Sequence, residues 1–484
     1  MKRQDLVIVG GGTAGLVSGM IAGWAGARVT LVEAERTGGD CLWTGCVPSK
    51  SLIAAADLAE SIRESDRLGV TAGEPEVDFP KVMAHVHAAR ERIEPHDSPE
   101  RLEEAGVEVI HGLARYSGAD RILVEGTEIR WRNSIIATGS RPALPPVPGL
   151  ADCDPLTSDT LWDLTELPER LLVLGGGPIG CELGQALSRL GSRVTIVESQ
   201  DRLLPGADPE TSELLAQQLR GEGVDIWLST SAESVEAAAG GRVSLEAVSP
   251  QGRLGLDFDR VLSATGRRPS SSGIGLDGLG VETEPDGAVP TDARLRTSAP
   301  GLFAAGDVTG AMPHTHVAAY HAQIATVNAL FRTRRKVDYR AVPHVTFTDP
   351  EVAAVGMSEA EARARWGSKA AVAHHDHGDL DRAITAGRTT GFAKLVGDNR
   401  GRLVGATIVG ESAGESIAEM AVRISNRQKI DSISSDVHAY PTFTEGAARA
   451  ADTYRRQRFQ GTAVTSLTRP LLALLRATDR RGRG

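Results

Sequence analysis

The sequence predicts an α/β protein in which two Rossmann-like units share the chain with an α+β C-terminal domain. A strand, glycine turn, helix and strand occur in that order twice, with first glycines Gly10 and Gly175, 165 positions apart. Short apolar strands ending in Thr-Gly or Gly-Asp follow the copies, at Ile135–Gly139, Val261–Gly266 and Leu302–Asp307. From about Val342 alternating apolar residues mix with helical stretches, as at Glu359–Trp366 and Glu415–Ile424, the mark of an α+β region. A chain of 484 residues has room for about three domains.

Asp5–Val9 is the first strand, followed by Gly10-Gly11-Gly12-Thr13-Ala14-Gly15, a helix from Leu16 to Gly26, and the strand Arg28–Val32 ending in Glu33. The second copy runs from the strand Arg170–Leu174 through Gly175, Gly177 and Gly180 to the strand Arg193–Val197 and Glu198. In each copy the acid lies 18 residues after the last glycine. A lone glycine triplet says little, but strand, helix and terminal acid together mark a dinucleotide site. Gly10 permits the tight turn, Gly12 lets a pyrophosphate approach the backbone, and Gly15 lets helix pack on strand. Thr13 and Ala14 open a helix whose N-terminus faces the phosphates. Glu33 and Glu198 are placed to hold ribose diols. A carboxylate at Glu198 repels a 2′-phosphate and favours NADH; Arg202, four residues on, would admit NADPH if its loop folded back.

The balance of 53 basic against 63 acidic residues, net −10, argues against a nucleic-acid partner, and so does an aromatic content of 4%. The 54 glycines, about 11% against about 7% in average proteins, follow no collagen-like period. Lys2 and Arg3 before an apolar stretch imitate a secretory signal, but Gly10-Gly11-Gly12 interrupts the run. No stretch reaches the roughly 18 apolar residues of a membrane span. A soluble, cytoplasmic protein is expected.

Four cysteines are too few for a disulfide-stapled scaffold in a chain this long. Cys153 and Cys181 read as ordinary small residues. Cys41 and Cys46 stand apart: they lie in Gly38-Gly39-Asp40-Cys41-Leu42-Trp43-Thr44-Gly45-Cys46-Val47-Pro48-Ser49-Lys50, ahead of a helix expected from Pro48 to Ala59. A thiol at a helix N-terminus has a lowered pKa, and a close pair can cycle between dithiol and disulfide. The spacing would also suit a metal pair, but no second pair with zinc-like spacing follows, and no metal is expected. The alternative is two buried structural thiols.

Taken together, these segments resemble the class I pyridine nucleotide–disulfide oxidoreductases: dihydrolipoamide dehydrogenase, glutathione reductase and mercuric reductase. The resemblance spans about residues 4 to 460 and rests on GGGTAG, GGDCLWTGCVPSK, ATG at 137–139, GGGPIGCELG, ATGRRP, AAGDV, VTFTDPEVAAVG and HAYPTFTEG. It implies two Rossmann-like dinucleotide-binding domains, for FAD and NAD(P), plus an α+β C-terminal dimerisation domain. FAD would be held by residues 1–150 and 271–341, NAD(P) by 151–270, with dimerisation by 342–460. It implies FAD contacts at Ala114, Thr138, Gly139, Gly306 and Asp307, with Gly266 at the matching turn of the second unit. Cys46 would be the thiol against the flavin and Cys41 the thiol that meets the acceptor. Lys50 would stand by the flavin N5 edge with Glu182 as partner, and Pro178 would leave the nicotinamide pocket without an aromatic gate. A homodimer would share active sites, each C-terminal segment serving the partner.

The chain departs from that pattern in the last motif. Where dihydrolipoamide dehydrogenase and glutathione reductase carry a catalytic His before the proline, this chain has Tyr440, and Glu445 matches the acid that would orient the His. A phenol with pKa near 10 is a poor acid at neutral pH. Mercuric reductase also has a Tyr there, but captures mercury with a late cysteine pair, and no cysteine follows Cys181. His438 could substitute as acid or be structural; His314, His316 and His321 fit helix packing and flavin contact better than a metal site.

The expected function is FAD-dependent oxidation of NAD(P)H through Cys46 and Cys41 to a disulfide-type acceptor. A non-disulfide acceptor (quinone, dye or metal ion such as Hg(II)) is one alternative. A redox-sensing flavoprotein with a protein partner is another. Residues 461–484 form a basic leucine-bearing tail that either contacts a membrane surface as an amphipathic helix or packs on its own protein.

Overall fold

The computed structural model describes residues 3–238, 242–459 and 462–481. The chain divides into two compact units. One contains the chain up to Pro205 together with Leu215–Asp338; the other contains Gly206–Leu214 and the chain from Tyr339 onward.

In the first unit, one sheet has a parallel core in the spatial order Val107–His111, Val29–Glu33, Gln4–Val9, Thr127–Ile136, Leu302–Ala304. Leu6, Val7, Ile8 and Val9 are all buried, as a strand covered on both faces requires. On one face Leu6, Ile8 and Leu31 pack with Ala22, Ile324 and Ala325 of the helices Thr13–Trp24 and Thr315–Phe331. On the other, Val7, Val32 and Ile136 pack with Tyr116 and Trp131. Arg121–Val124 pairs antiparallel with Thr127–Ile136, and Ala114–Gly118 pairs antiparallel with Arg121–Val124. The chain runs outward in both directions from the neighbours Gln4–Val9 and Thr127–Ile136, so their carboxyl ends flank the crevice where such sheets take ligands. Gly10 and Ala137-Thr138 stand there.

A second parallel sheet has the order Asp225–Trp227, Arg193–Val197, Arg170–Leu174, Arg260–Ser263. An antiparallel meander, Ser231–Ala238, Arg242–Ser249 and Gly252–Phe258, shares a core with it through Val235, Leu245, Leu172 and Val197. A short ribbon, Ser140–Pro142 with Arg267–Pro269, links the exits of the two sheets.

The other unit holds a five-stranded antiparallel sheet, Pro343–Thr346, Glu351–Gly356, Leu403–Gly410, Phe392–Gly397, Ala371–Asp376. Helices Ala413–Ser425 and Glu445–Phe459 pack on it, burying Ala353, Leu395, Ile408, Ile417, Met420 and Ala450. A fully buried Ile or Met contributes about 1.5–3 kcal/mol. Lys394 is buried within this unit against Asp208 (3.1 Å), Glu359 (3.1 Å) and Glu210. These contacts fasten Gly206–Leu214, which sequence order places far away. Thr462–Arg481 is one helix with Leu471, Leu472, Leu474 and Leu475 exposed; Gly461 and 482–484 of the tail lie outside the described residues. Among the described residues no helix is long and apolar enough to cross a membrane.

Candidate active site

The two glycine turns are built alike. Gly10 has φ +107° and Gly175 has φ +105°, a region closed to most L-residues. A Cβ on Gly10 would strike the Ala137 carbonyl, and one on Gly175 would lie 2.7 Å from the Ala264 carbonyl oxygen. Each following acid is anchored by its own turn. The Gly11 N–H donates to Glu33 at 2.5 Å and the Gly176 N–H donates to Glu198 at 2.7 Å. A second backbone donor, Glu35 N–H and Gln200 N–H respectively, fixes the other carboxylate oxygen at 2.7 Å. Arg202, at the entrance of the second turn, pairs with Asp201 at 3.0 Å.

Gly38 and Gly39 start a short helix, Gly39–Trp43, that carries Cys41. The loop closes on itself where the Asp40 carbonyl accepts N–H bonds from Thr44 (2.9 Å) and Gly45 (2.5 Å). The next helix is Cys46–Arg63, so Cys46 is its first residue and the helix starts two residues before the expected Pro48. Pro48 falls in the first turn, where its missing N–H costs nothing. Cys46 is exposed and Cys41 half-buried. Thr315, first residue of the helix Thr315–Phe331, places Oγ1 3.3 Å from Cys46 Sγ. The Cys46 thiol is lowered to about 6. The Cys41 hydrogen bond is the largest cause; burial opposes it, while Thr315 and the Lys50 charge assist. The same hydrogen bond, with burial, pushes Cys41 above the ordinary thiol range. The pair is thus polarised, with the anion at Cys46 and the proton at Cys41. One turn along, Lys50 Nζ donates to Glu182 Oε2 at 2.7 Å, joining the helix to Pro178–Arg189 of the second nucleotide fold.

Thr138 and Gly139 follow the strand Thr127–Ile136. Ala114 begins the strand Ala114–Gly118 and packs on the core containing Val32. Gly306 donates its N–H to His321 Nδ1 at 3.2 Å, and burial lowers the His321 pKa to about 4. Ser140 Oγ donates to Asp307 at 2.7 Å. Gly266 precedes Arg267, whose guanidinium reaches Ser140, Ser158 and Asp40. Thr315, Arg267 and Asp40 are not among the site residues the sequence predicts, although Asp40 lies in GGDCLWTGCVPSK and Arg267 in ATGRRP, where their opposite charges are the sequence signal. The His314 and His316 rings stack with centroids 5.3 Å apart. Among the described residues no group of three or more His, Cys, Asp and Glu could hold a metal ion.

Tyr440 and Glu445 belong to the second unit. Tyr440 is exposed, and its phenol bonds to Asp381, whose carboxylate raises the phenol pKa above its ordinary value. Glu445 accepts from Thr442 N–H and from Arg449, both at 3.3 Å. His438 Nε2 lies 3.2 Å from Glu419.

Residues 4–322 match the family model described as pyridine nucleotide-disulphide oxidoreductase, and 342–451 match its dimerisation domain. The chain belongs to this family. The oxidoreductase is 35% identical over 466 residues to a dihydrolipoyl dehydrogenase of Thermus scotoductus, covering 94% of this chain and 98% of that one. It is 34% identical to a mercuric reductase of Streptomyces lividans, over 93% and 96% of the two chains. Among solved structures it resembles the Cu(II) complex of the HOCl-induced flavoprotein disulfide reductase RclA from Escherichia coli, with TM-score 0.82, 27% identity and 93% and 99% coverage. The oxidoreductase is therefore an FAD-dependent flavoprotein enzyme that uses a pyridine nucleotide, and its dimerisation domain fits a homodimer.

The residues present fit FAD. Thr138 Oγ1 is buried with no hydrogen-bond partner, at the crevice between the two central strands. In the first glycine turn, a Cβ on Gly12 would meet only Gly39 Cα, at 3.7 Å, so the turn leaves a cradle of bare backbone.

Proposed function

We propose that this oxidoreductase oxidises NADH and passes two electrons through FAD to Cys46 and Cys41, and from them to a disulfide-type acceptor. The polarised thiol pair at the start of Cys46–Arg63 is the observation that carries this reading. Gly10, Gly12, Thr13, Ala14 and Gly15 would hold the FAD pyrophosphate and Glu33 its ribose. Ala114, Thr138, Gly139, Gly306 and Asp307 would line the rest. Gly175, Gly177, Gly180, Glu198 and Gly266 would do the same for the nicotinamide cofactor, with the buried Glu198 favouring NADH. In this scheme residues 1–150 and 271–341 hold FAD, 151–270 hold NAD(P), and 342–460 dimerise, bringing Tyr440 and Glu445 to the partner's thiols. A reduced cytoplasmic setting suits such a pair.

Bound FAD supplies a two-electron carrier between nicotinamide and disulfide. The chain's own residues do the rest. A hydride equivalent reduces the Cys41–Cys46 disulfide to one thiolate and one thiol, which matches the polarisation at Cys46 and Cys41. Lys50, oriented by Glu182, stabilises negative charge beside Cys46. For reoxidation Cys41 gives up its proton and attacks one sulfur of the acceptor, expelling a thiolate. Cys46 then attacks Cys41, forms the intramolecular disulfide and expels the second thiolate. One leaving thiolate takes the Cys41 proton; the other takes one from water. Tyr440, held above its ordinary pKa by Asp381, is a weak proton donor for that step. The geometry accordingly favours acceptors whose leaving thiols are acidic.

A metal-ion acceptor is the second reading. Its support is the exposed Tyr440 phenol beside the Asp381 carboxylate and the similarity to a structure solved as a Cu(II) complex. Anaerobic NADH titration should give a long-wavelength thiolate-to-flavin absorption band that vanishes in Cys46→Ser. An acceptor panel of lipoamide, small disulfides, quinones, Cu(II) and Hg(II), with NADH and NADPH, then decides. Disulfide flux lost in Cys46→Ser supports the dithiol route. Flux to quinones or metals that survives that substitution refutes it, and one flavin reduction without turnover marks a sensor.

A further inference from the structure

The Arg267 guanidinium is a hub. Its Nε donates to Ser140 Oγ at 2.9 Å, one terminal nitrogen to Ser158 Oγ at 3.0 Å, and the other to the Ser140 carbonyl at 2.8 Å and to the Asp40 carboxylate. Asp159 lies 3.7 Å away. Through the Ser140 hydroxyl the hub continues to Asp307 at 2.7 Å. Its other end is Asp40, the residue before Cys41. Backbone bonds from Thr44 and Gly45 to the Asp40 carbonyl tie the Cys41–Gly45 turn to that one residue, and Trp162 Nε1 holds the Thr44 carbonyl at 2.9 Å. Whatever fixes the Asp40 side chain therefore fixes Cys41 against Cys46.

We propose that Asp40 and Arg267 form a latch that positions Cys41 for disulfide closure with Cys46, a role outside the cofactor-binding and thiol motifs themselves. Neither residue touches the reacting sulfurs in this role; both act through the turn as positioning residues. A planar fork meets several acceptors at once, which a lysine in the same place cannot do. The carboxylate needs that partner. Burial raises Asp40 to about 6, Asp159 and Asp307 add to the rise, and Arg267 and the Thr44 hydroxyl oppose it. Without Arg267, Asp40 would stand among acids, with no cation to hold it.

Closing a disulfide within a held loop depends on the effective concentration of one thiol at the other, so loosening one end weakens the disulfide relative to the dithiol. The latch rests on the dithiol reading proposed above. The test uses reduced holoenzyme of wild type, Asp40→Asn, Arg267→Lys and the double variant. Iodoacetamide trapping followed by peptide mapping gives each cysteine's alkylation rate, and dithiothreitol redox buffers give the equilibrium constant of the pair. Each single variant is expected to alkylate Cys41 about threefold faster and Cys46 more slowly, because loosening Cys41 weakens the hydrogen bond that keeps Cys46 ionised. Each should also shift the equilibrium about tenfold toward dithiol, about 30 mV. The double variant should exceed neither single, because both break one contact. Unchanged constants, equal acceleration at both thiols, or additive shifts overturn the latch. A wild-type enzyme without a reversible couple overturns the dithiol reading and the latch together; a wild-type couple that the variants do not move overturns the latch alone.

Discussion

Replacing Cys41 by Ala should raise the pKa of Cys46. The Cys41 hydrogen bond is the largest of the influences holding Cys46 at about 6, while burial and the Glu182 charge push upward. Only Thr315, at 3.3 Å, and the Lys50 charge remain to oppose them. With its first cause removed the thiol should climb toward the ordinary value of about 8.5. At pH 7 a thiol of pKa about 6 is roughly 90% ionised. One of pKa about 8.5 is roughly 3% ionised, a fall of about 30-fold in thiolate. The assay is the long-wavelength absorbance of the anaerobically reduced flavoprotein, titrated from acid to alkali in wild type and Cys41→Ala. The wild-type band should fade as pH drops through about 6, and the variant band should require alkali. Because the folded pKa is depressed, the thiolate contributes stability above the ordinary thiol pKa, and this is lost as pH falls through about 6. A variant midpoint within half a unit of wild type would refute the reasoning and assign the depression to the helix start instead.

Two further outcomes follow from the buried charges. Glu198→Gln combined with Gln200→Arg should raise the NADPH-to-NADH ratio of kcat/KM at least tenfold, since a carboxylate beside a 2′-phosphate is removed and a cation supplied; an unchanged ratio in steady-state assays removes Glu198 from cofactor choice. Lys394→Met leaves Asp208, whose side chain is 5% exposed, beside Glu210 and Glu359 without the lysine charge, only Glu359 keeping a cation in Arg363. Its expected cost is about 3 kcal/mol in urea denaturation at fixed protein concentration, and a change under 1 kcal/mol would show the carboxylates relax into water.

The parts legible in sequence were those whose chemistry is local. Gly10 to Glu33 and Gly175 to Glu198 each form within one strand–helix–strand unit, so spacing alone locates turn and acid. The Cys46 helix start was within two residues for the same reason. Contacts between distant segments were not legible. Thr315 meets Cys46 across 269 positions and Arg267 meets Asp40 across 227, and no periodicity encodes either. Lys394 sits in the strand Phe392–Gly397, buried along its length, and only folding supplies the Asp208–Glu210 segment that pairs it. The Ser231–Phe258 meander lies outside every motif, because a structural ribbon needs only alternation and turns. Tyr440 is legible in the sequence as a departure from the family motif, whereas its Asp381 partner depends on the fold of the dimerisation unit.

Cys46 opens one helix and Thr315 opens another, so the sulfur lies where two sets of unpaired backbone amides begin. A sulfur kept anionic there by Cys41, Thr315 and Lys50 is nucleophilic toward peroxide as well as toward a disulfide. Attack on peroxide would leave a sulfenic acid on Cys46 and release water. The Cys41 thiol in hydrogen-bond contact would then condense with it, expelling a second water and forming the Cys41–Cys46 disulfide. That is the same oxidised pair that the turnover proposed above would leave. An oxidant striking this sulfur would thus cost the enzyme one NADH and no lasting injury, provided Cys41 stays within reach.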